Sequence, residues 1–194
     1  MRVISGRCRG RTLVAPAGDS TRPTSDKVRE ALFNVLANSQ ADRVLDLFAG
    51  TGALALEALS RGATSAVLVE SNAQALVAIA RNVDACGLAQ SARVLRDDVL
   101  RVLHRGPDAL GAPFDLVLVD PPYRQGLELS VLTALVQRGW LCEGATVVIE
   151  RATQDLIAWP SELLARFEQA PYEKRYGDTT LVFFFDFALT EAST

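Results

Sequence analysis

Val44-Leu45-Asp46-Leu47-Phe48-Ala49-Gly50-Thr51-Gly52-Ala53-Leu54 reads as a buried strand, a glycine turn and the opening of a helix. The pattern continues downstream. A helix over Ala53–Arg61 leads to a strand at Ser65–Glu70, and a helix over Ala73–Cys86, with Leu76, Ile79, Ala80 and Val83 on one face, leads to a strand at Ala92–Arg96. A short helix at Val99–His104, a strand at Phe114–Val119, a helix at Leu127–Arg138 and a strand at Thr146–Glu150 follow. Apolar strands joined by amphipathic helices predict an α/β fold, its parallel sheet covered on both faces. The chain ends differently. Arg166–Tyr176 and Thr179–Phe187 are β-like around Gly177-Asp178, so an antiparallel hairpin is expected to finish a seven-stranded mixed sheet, with Leu181–Phe185 on an inner strand.

Upstream, Val3-Ile4 and Thr12-Leu13-Val14 flank Gly6 and Gly10 and suggest a hairpin. Pro16, Gly18 and Pro23 then interrupt the chain, and a helix is expected from Thr24 or Ser25, either of which can cap it. Val28, Ala31, Leu32, Val35 and Leu36 form its apolar stripe, opposite Lys27, Arg29 and Glu30. Residues 1–23 are therefore read as a basic arm and 24–194 as the main domain.

The 194 residues are 49% hydrophobic, enough to bury a sizeable core. Residues 1–30 hold seven Arg and Lys against three acids, a local +4 in a chain of net charge -3, which leaves -7 elsewhere. A basic arm on an acidic body suggests a local nucleic-acid contact. Cys8, Cys86 and Cys142 are widely spaced and His104 is the only histidine, so zinc, a disulfide framework and a histidine triad are not expected. No segment approaches the roughly 20 apolar residues of a membrane-spanning helix. Arginines at positions 2, 7, 9 and 11 are unlike a signal peptide. The expected setting is cytoplasmic, without membrane or metal, and as a monomer.

Two loops carry the chemistry. Gly50 and Gly52 let a ligand approach the backbone at the first strand-to-helix turn. Glu70, at the tip of the next strand, could accept from ribose hydroxyls. With Ala55 the turn satisfies a dinucleotide fingerprint, so it indicates an adenosine-containing cofactor without choosing one. Asp46, inside the strand, would repel a pyrophosphate but could bond an amino-acid end, and Asp98 or its neighbour Asp97 could accept from an adenine amine. These features favour S-adenosylmethionine over a nicotinamide cofactor. The second loop is Asp120-Pro121-Pro122-Tyr123, directly after Phe114–Val119. Two prolines end the strand and leave a carboxylate, a carbonyl and an aromatic ring together at its carboxyl end. Such a site suits an exocyclic amine attacking an electrophile.

At these residues the chain resembles the Rossmann-like S-adenosylmethionine-dependent methyltransferases, and Asp120–Tyr123 is similar to the Asn/Asp-Pro-Pro-Tyr box of enzymes that methylate exocyclic or amide nitrogens. Met1–Gly6, Arg9-Gly10-Arg11, Arg22–Asn34, Asp46–Gly52 and Arg175–Thr179 together resemble the bacterial 16S ribosomal RNA guanine-N2 methyltransferase family, from Met1 to about Phe185. Cys8 departs from it, since a tryptophan or a cation is expected there.

The resemblance implies a Rossmann-like methyltransferase fold, S-adenosylmethionine as cofactor, and transfer to a guanine N2 in the 16S rRNA of a small subunit or assembly intermediate. It implies Asp120, Pro121 and Tyr123 as catalytic residues, with Asp120 and Pro121 accepting from the amine and Tyr123 stacking on the base. Thr24, Asp46, Phe48, Gly50, Gly52, Glu70, Asp98 and Asp120 are the expected cofactor contacts. Arg7, Arg9, Arg11, Arg22 and Arg29 are the expected RNA contacts, and Thr24, Ser25 and Arg29 could order the methionine end. Adenine N6 or a protein glutamine remains the alternative acceptor for the same box. NAD-dependent oxidoreduction rests on the glycine turn and Glu70 alone, and a non-catalytic RNA-binding module on the arm alone.

Overall fold

The strands at Arg43–Leu47, Ser65–Glu70 and Phe114–Val119 are almost wholly buried, whereas the one at Ala92–Arg96, at the edge of the sheet, is half-buried to exposed. The computed structural model describes residues 1–16, 25–38, 41–123 and 125–189. Its strands form one seven-stranded sheet in the order β3-β2-β1-β4-β5-β7-β6. The strands are β1 (Arg43–Leu47), β2 (Ser65–Glu70), β3 (Ala92–Arg96), β4 (Phe114–Val119), β5 (Leu141–Ala152), β6 (Tyr172–Tyr176) and β7 (Thr179–Phe184). The sheet is mostly parallel and ends in the expected antiparallel hairpin. Two compact units are distinguishable, Met1–Val99 and Leu100–Thr194.

In the first unit β1 pairs β2 in parallel, with Asp46 opposite Leu68, and β2 pairs β3 with Glu70 opposite Arg96. Helix α2 (Ala53–Arg61) follows β1 directly, and Ala53 through Ser60 are all buried, Glu57 and Ser60 included. An amphipathic helix on a sheet would expose its far face. Here the N-terminal arm covers that face. Helix α3 (Ala73–Cys86) is capped by Asn72, whose side chain accepts from the Gln74 and Ala75 amides, and is closed by Gly87 at φ +64. It buries Ala75, Ala78, Ile79, Asn82 and Val83. The expected face was rotated slightly, since Ala80 is exposed and Leu76 only half-buried. Ile79 and Val83 are buried as expected, and Ala75, Ala78 and Asn82 take the places of Leu76 and Ala80 on the inner face.

The arm is a hairpin, as predicted. Arg2 bridges Thr12 antiparallel, the Val3 amide donates to Arg11, and the Gly10 amide returns a bond to Val3. Helix α1 (Asp26–Val35) starts at Ser25, whose hydroxyl accepts from the Val28 amide at 3.2 Å. It buries Val28, Arg29, Leu32 and Phe33. Arg29 and Phe33 thus replace Ala31 and Val35 on the inner face. Pro16 is half-buried, whereas the expected breaks at Gly18 and Pro23 lie outside the described residues.

In the second unit, α4 (Val99–Arg105) leads to β4, and α5 (Leu127–Gln137) connects β4 to β5, with Leu116–Val119 in parallel register with Thr146–Ile149. β5 is longer than Thr146–Glu150, because pairing resumes before an irregularity between Phe114 and Leu116. Gly144, at φ +73, lies within the strand, two residues before the predicted start at Thr146. The segment expected as a strand from Arg166 behaves otherwise. A short helix α6 (Ser161–Leu164) and a single Phe167–Phe187 bridge precede β6, which begins just after Pro171. Proline has no N–H for the ladder, which accounts for the late start. Trp140 donates its indole N–H to the Leu103 carbonyl at 3.2 Å and stacks near Phe114, filling the core of this unit.

Candidate functional site

The turn after β1 is held by hydrogen bonds to backbone amides. Phe48 has φ +62, followed by Gly50 at +56 and Gly52 at +74, where α2 opens. A Cβ on Gly52 would lie 3.0 Å from Leu68 Cδ2, so packing and φ both demand glycine there. On Gly50 it would meet nothing nearer than Phe48 O at 3.8 Å, leaving that stretch of backbone open to a ligand. Glu70 closes the turn. Its Oε2 accepts from the Gly50 amide at 2.8 Å, while Oε1 accepts from Ser71 at 2.8 Å and Asn72 at 2.7 Å. One carboxylate thus fixes the cofactor turn and the start of α3 together.

Asp46 lies beneath, 1% exposed. Its Oδ2 accepts from the Ala55 amide at 3.0 Å, and Oδ1 has no hydrogen-bond partner among the described residues. Burial pushes its carboxyl up to about 7; the Ala55 bond opposes this rise and the Glu70 charge adds to it. An orphaned buried carboxylate oxygen calls for a donor. At the end of β3, the Asp97 Oδ1 accepts from the Asp98 amide at 2.8 Å, so Asp97 shapes the local turn, while Asp98 is exposed just before α4.

In the second unit Asp120 is the first residue beyond β4 and is half-buried, with Pro121 buried and Pro122 exposed. Tyr123 is fixed by its hydroxyl, which donates to Glu150 Oε1 at 2.9 Å and shares a 3.1 Å bond with Thr179 Oγ1. Glu150 is buried near the end of β5 and Thr179 starts β7. Burial pushes the Tyr123 hydroxyl well above the usual phenol range; the Thr179 bond lowers it and the charges of Glu150 and Asp120 raise it. The phenol is therefore an anchor at neutral pH. Glu150 is unmarked in the sequence, and Thr179 belongs to the Arg175–Thr179 stretch without a role assigned to it, because strand pairing alone brings them to Tyr123.

The arm's guanidiniums divide in two. Arg7, Arg9 and Arg11 are exposed on the hairpin. Arg29, expected among the RNA contacts, is fully buried at 0% exposure. Its Nη2 donates to the Arg2 carbonyl and to Asp26 Oδ1, and its Nε lies 3.9 Å from Glu57 Oε2. A guanidinium so enclosed fastens the arm and does not face a phosphate backbone. Arg22 and Thr24 lie outside the described residues.

Glu57, unmarked in the sequence except by Arg61 four residues on, is the centre of the docking. Its carboxylate accepts from the Ile4 amide at 2.7 Å, the Ser5 amide at 3.0 Å and Arg61 Nε at 2.7 Å. The Ser60 carbonyl accepts from the Arg7 amide, and its hydroxyl accepts from the Cys8 amide and donates to the Ser5 carbonyl. Gly6 has to be glycine, since a Cβ would sit 1.8 Å from the Ser60 carbonyl oxygen. Cys8, the departure from the family pattern, is buried and its thiol donates to the Cys86 carbonyl at 3.4 Å. Among the described residues no cluster of three or more His, Cys, Asp or Glu could hold a metal ion.

Residues 1–185 match the family model described as Conserved hypothetical protein 95. The chain is 40% identical over 156 residues to the Ribosomal RNA small subunit methyltransferase D of Escherichia coli K12, covering 80% of this chain and 76% of that protein. The solved structure of a candidate methyltransferase of Escherichia coli, yhhF, superposes with a TM-score of 0.81 at 34% identity, covering 97% of this chain and 99% of that one. An RNA methyltransferase from Salinibacter ruber, solved with S-adenosyl-L-homocysteine, shares the fold at 15% identity with a TM-score of 0.61, over 89% of this chain and 98% of that one. The chain belongs to the Conserved hypothetical protein 95 family, that of the small-subunit ribosomal RNA methyltransferases.

Proposed function

We propose that this chain transfers a methyl group from S-adenosylmethionine to the exocyclic N2 of one guanine in small-subunit ribosomal RNA. The observation that carries this reading is the Asp120-Pro121-Pro122-Tyr123 box at the end of buried β4, with the tyrosine locked by Glu150 and Thr179. The cofactor fits the residues of the first unit. The unpartnered Asp46 oxygen is an acceptor for the ammonium of a methionine moiety, and Gly50 leaves backbone open beside it. Glu70 and Asp98 are the acceptors for ribose and adenine. The cofactor supplies a methyl group on a sulfonium, an electrophile that needs no metal.

The chain's own residues then act on the acceptor. An aniline-like amine is a weak nucleophile because its lone pair is delocalised into the base. Hydrogen bonds from that amine to the Asp120 carboxylate and the Pro121 carbonyl favour a pyramidal nitrogen and localise the pair. As the nitrogen–carbon bond forms and the sulfur–carbon bond breaks, the same acceptors stabilise the positive charge developing on nitrogen. The extra proton leaves after transfer, so no histidine base is required. Tyr123, with its hydroxyl tied down, presents its ring for stacking on a base drawn out of its own stack. Arg7, Arg9 and Arg11 supply phosphate contacts that orient the RNA without reading its sequence.

The test is to incubate the purified chain and labelled S-adenosylmethionine with small subunits, and separately with stripped RNA, from a strain lacking the protein. The modified nucleoside is then identified. N2-methylguanosine at one position supports the reading, and the preferred form gives the assembly stage. Label on adenine N6, or on protein, would keep the methyl transfer and overturn the acceptor.

A further inference from the structure

We infer that Asn82 is a positioning residue that couples the docking of the N-terminal arm to the shape of the cofactor turn. Asn82 lies in the third turn of α3 and is 1% exposed. Its Oδ1 accepts from the Val14 amide at 2.8 Å, and its Nδ2 donates to the Val14 carbonyl at 3.0 Å and to the Thr51 carbonyl at 2.9 Å. A single side-chain amide therefore binds both backbone groups of Val14 in the manner of a strand partner. It also holds the carbonyl between Gly50 and Gly52. The Val14 side chain is exposed, so the arm is recognised here through its backbone. Thr51 Oγ1 also reaches the Met1 sulfur at 3.9 Å, a second, weaker link between the same two segments.

The physical consequence follows from the turn itself. Gly50 and Gly52 both adopt positive φ, so the peptide plane of Thr51 between them is the adjustable part of the cofactor cradle. Asn82 fixes that plane only while its amide is oriented by Val14. A ligand that selects one shape of the turn must then favour the docked arm, and a docked arm must favour the ligand by the same factor. The inference rests on the reading that this turn holds S-adenosylmethionine.

The experiment uses the full chain. S-adenosylmethionine and S-adenosylhomocysteine affinities are measured by calorimetry, and amide exchange of residues 9–16 is followed with and without cofactor. In the wild type, cofactor is expected to slow exchange at the Val14 amide. Asn82→Ala should weaken cofactor binding roughly tenfold, the scale of one to two lost hydrogen bonds. With cofactor saturating, its arm should no longer respond, and KM for cofactor should rise with little change in kcat. Val14→Pro removes the N–H that Asn82 Oδ1 accepts, at the cost of fixing φ there and restricting Leu13, and leaves α3 intact. It should weaken cofactor binding about threefold, which keeps the test valid should Asn82→Ala fail to fold. Wild-type affinity in Val14→Pro, or arm exchange indifferent to cofactor in the wild type, overturns the coupling. A wild-type chain that binds neither compound overturns the cofactor reading, and the coupling with it.

Discussion

Asp46, within β1, and Asp120, one residue beyond β4, are both carboxylates at a strand, yet their environments separate their work. Asp120 is half-buried and next to two prolines, where an acceptor can face an incoming amine. Asp120→Ala, which removes the acceptor altogether, should lower methyl transfer roughly 10²- to 10³-fold, the scale of losing one preorganised electrostatic partner. Calorimetry should show S-adenosylhomocysteine binding weakened far less than turnover, since Asp120 is one among several expected cofactor contacts. Asp46 is enclosed, with its carboxyl raised to about 7 from an ordinary value near 4. Between those values the folded chain holds a proton that the unfolded chain has released. Stability of the ligand-free protein should therefore fall as pH rises from about 4 to 7 and level off above, by on the order of 4 kcal/mol at most. Thermal unfolding across this range should show the slope in the wild type and a flatter profile in Asp46→Asn. An ammonium against the orphaned oxygen favours the ionised form, so cofactor affinity should increase over the same interval.

At the scale of elements, the arm's hold on α2 depends on one close approach. Gly6→Ala places a methyl group against the Ser60 carbonyl and needs a positive φ, and a loss of roughly 2 kcal/mol or more in denaturant unfolding is expected. Gly10 has a similar φ but nothing within 4 Å, so Gly10→Ala should cost about 1 kcal/mol, the left-handed penalty alone. Equal losses in the two variants would mean that Gly6 matters for φ and not for contact. At the other end of this hairpin's footprint, burial first and then the neighbouring Cys8 raise the Cys86 thiol to about 11, although Arg11 opposes the shift. Cys86 should therefore alkylate slowly at pH 8 and faster as pH approaches 10 to 11, which mass spectrometry of the labelled peptide can follow. The bounds of α2 and α3 were legible in the chain, since Ala53–Arg61 and Ala73–Cys86 carry helical periodicity and end at Gly62 and Gly87, with Asn72 capping the start of α3. It did not reveal their polar inner residues, because Glu57 and Asn82 look like solvent-facing positions until the arm is placed over them.

Across the whole molecule, charge is unevenly arranged, with the arm's exposed Arg7, Arg9 and Arg11 on a chain of net charge -3. Replacing all three with alanine should leave unfolding unchanged and reduce the salt dependence of RNA affinity, lowering the log–log slope by about 2 to 3 if each contacts a phosphate. The alternation of strands and helices along the chain, the antiparallel ending and the two chemical loops could be read from the chain by itself, whereas the order of the strands in the sheet could not. Strand periodicity, glycine at positive φ and paired prolines act over a few residues and leave local marks. Arg29 shows the limit of that reading. Helical spacing set it opposite the apolar stripe, whereas the fold encloses it between the Arg2 carbonyl, Asp26 and Glu57. Likewise Tyr123 meets Glu150 and Thr179, respectively 27 and 56 residues away. Asn82 finds Val14 and Thr51, and Arg29 finds the Arg2 carbonyl and Glu57, although its Nε and Nη1 have no hydrogen bond among the described residues. Which polar side chains turn inward was decided only by tertiary structure, because the partners that make a buried amide or charge tolerable come largely from distant segments.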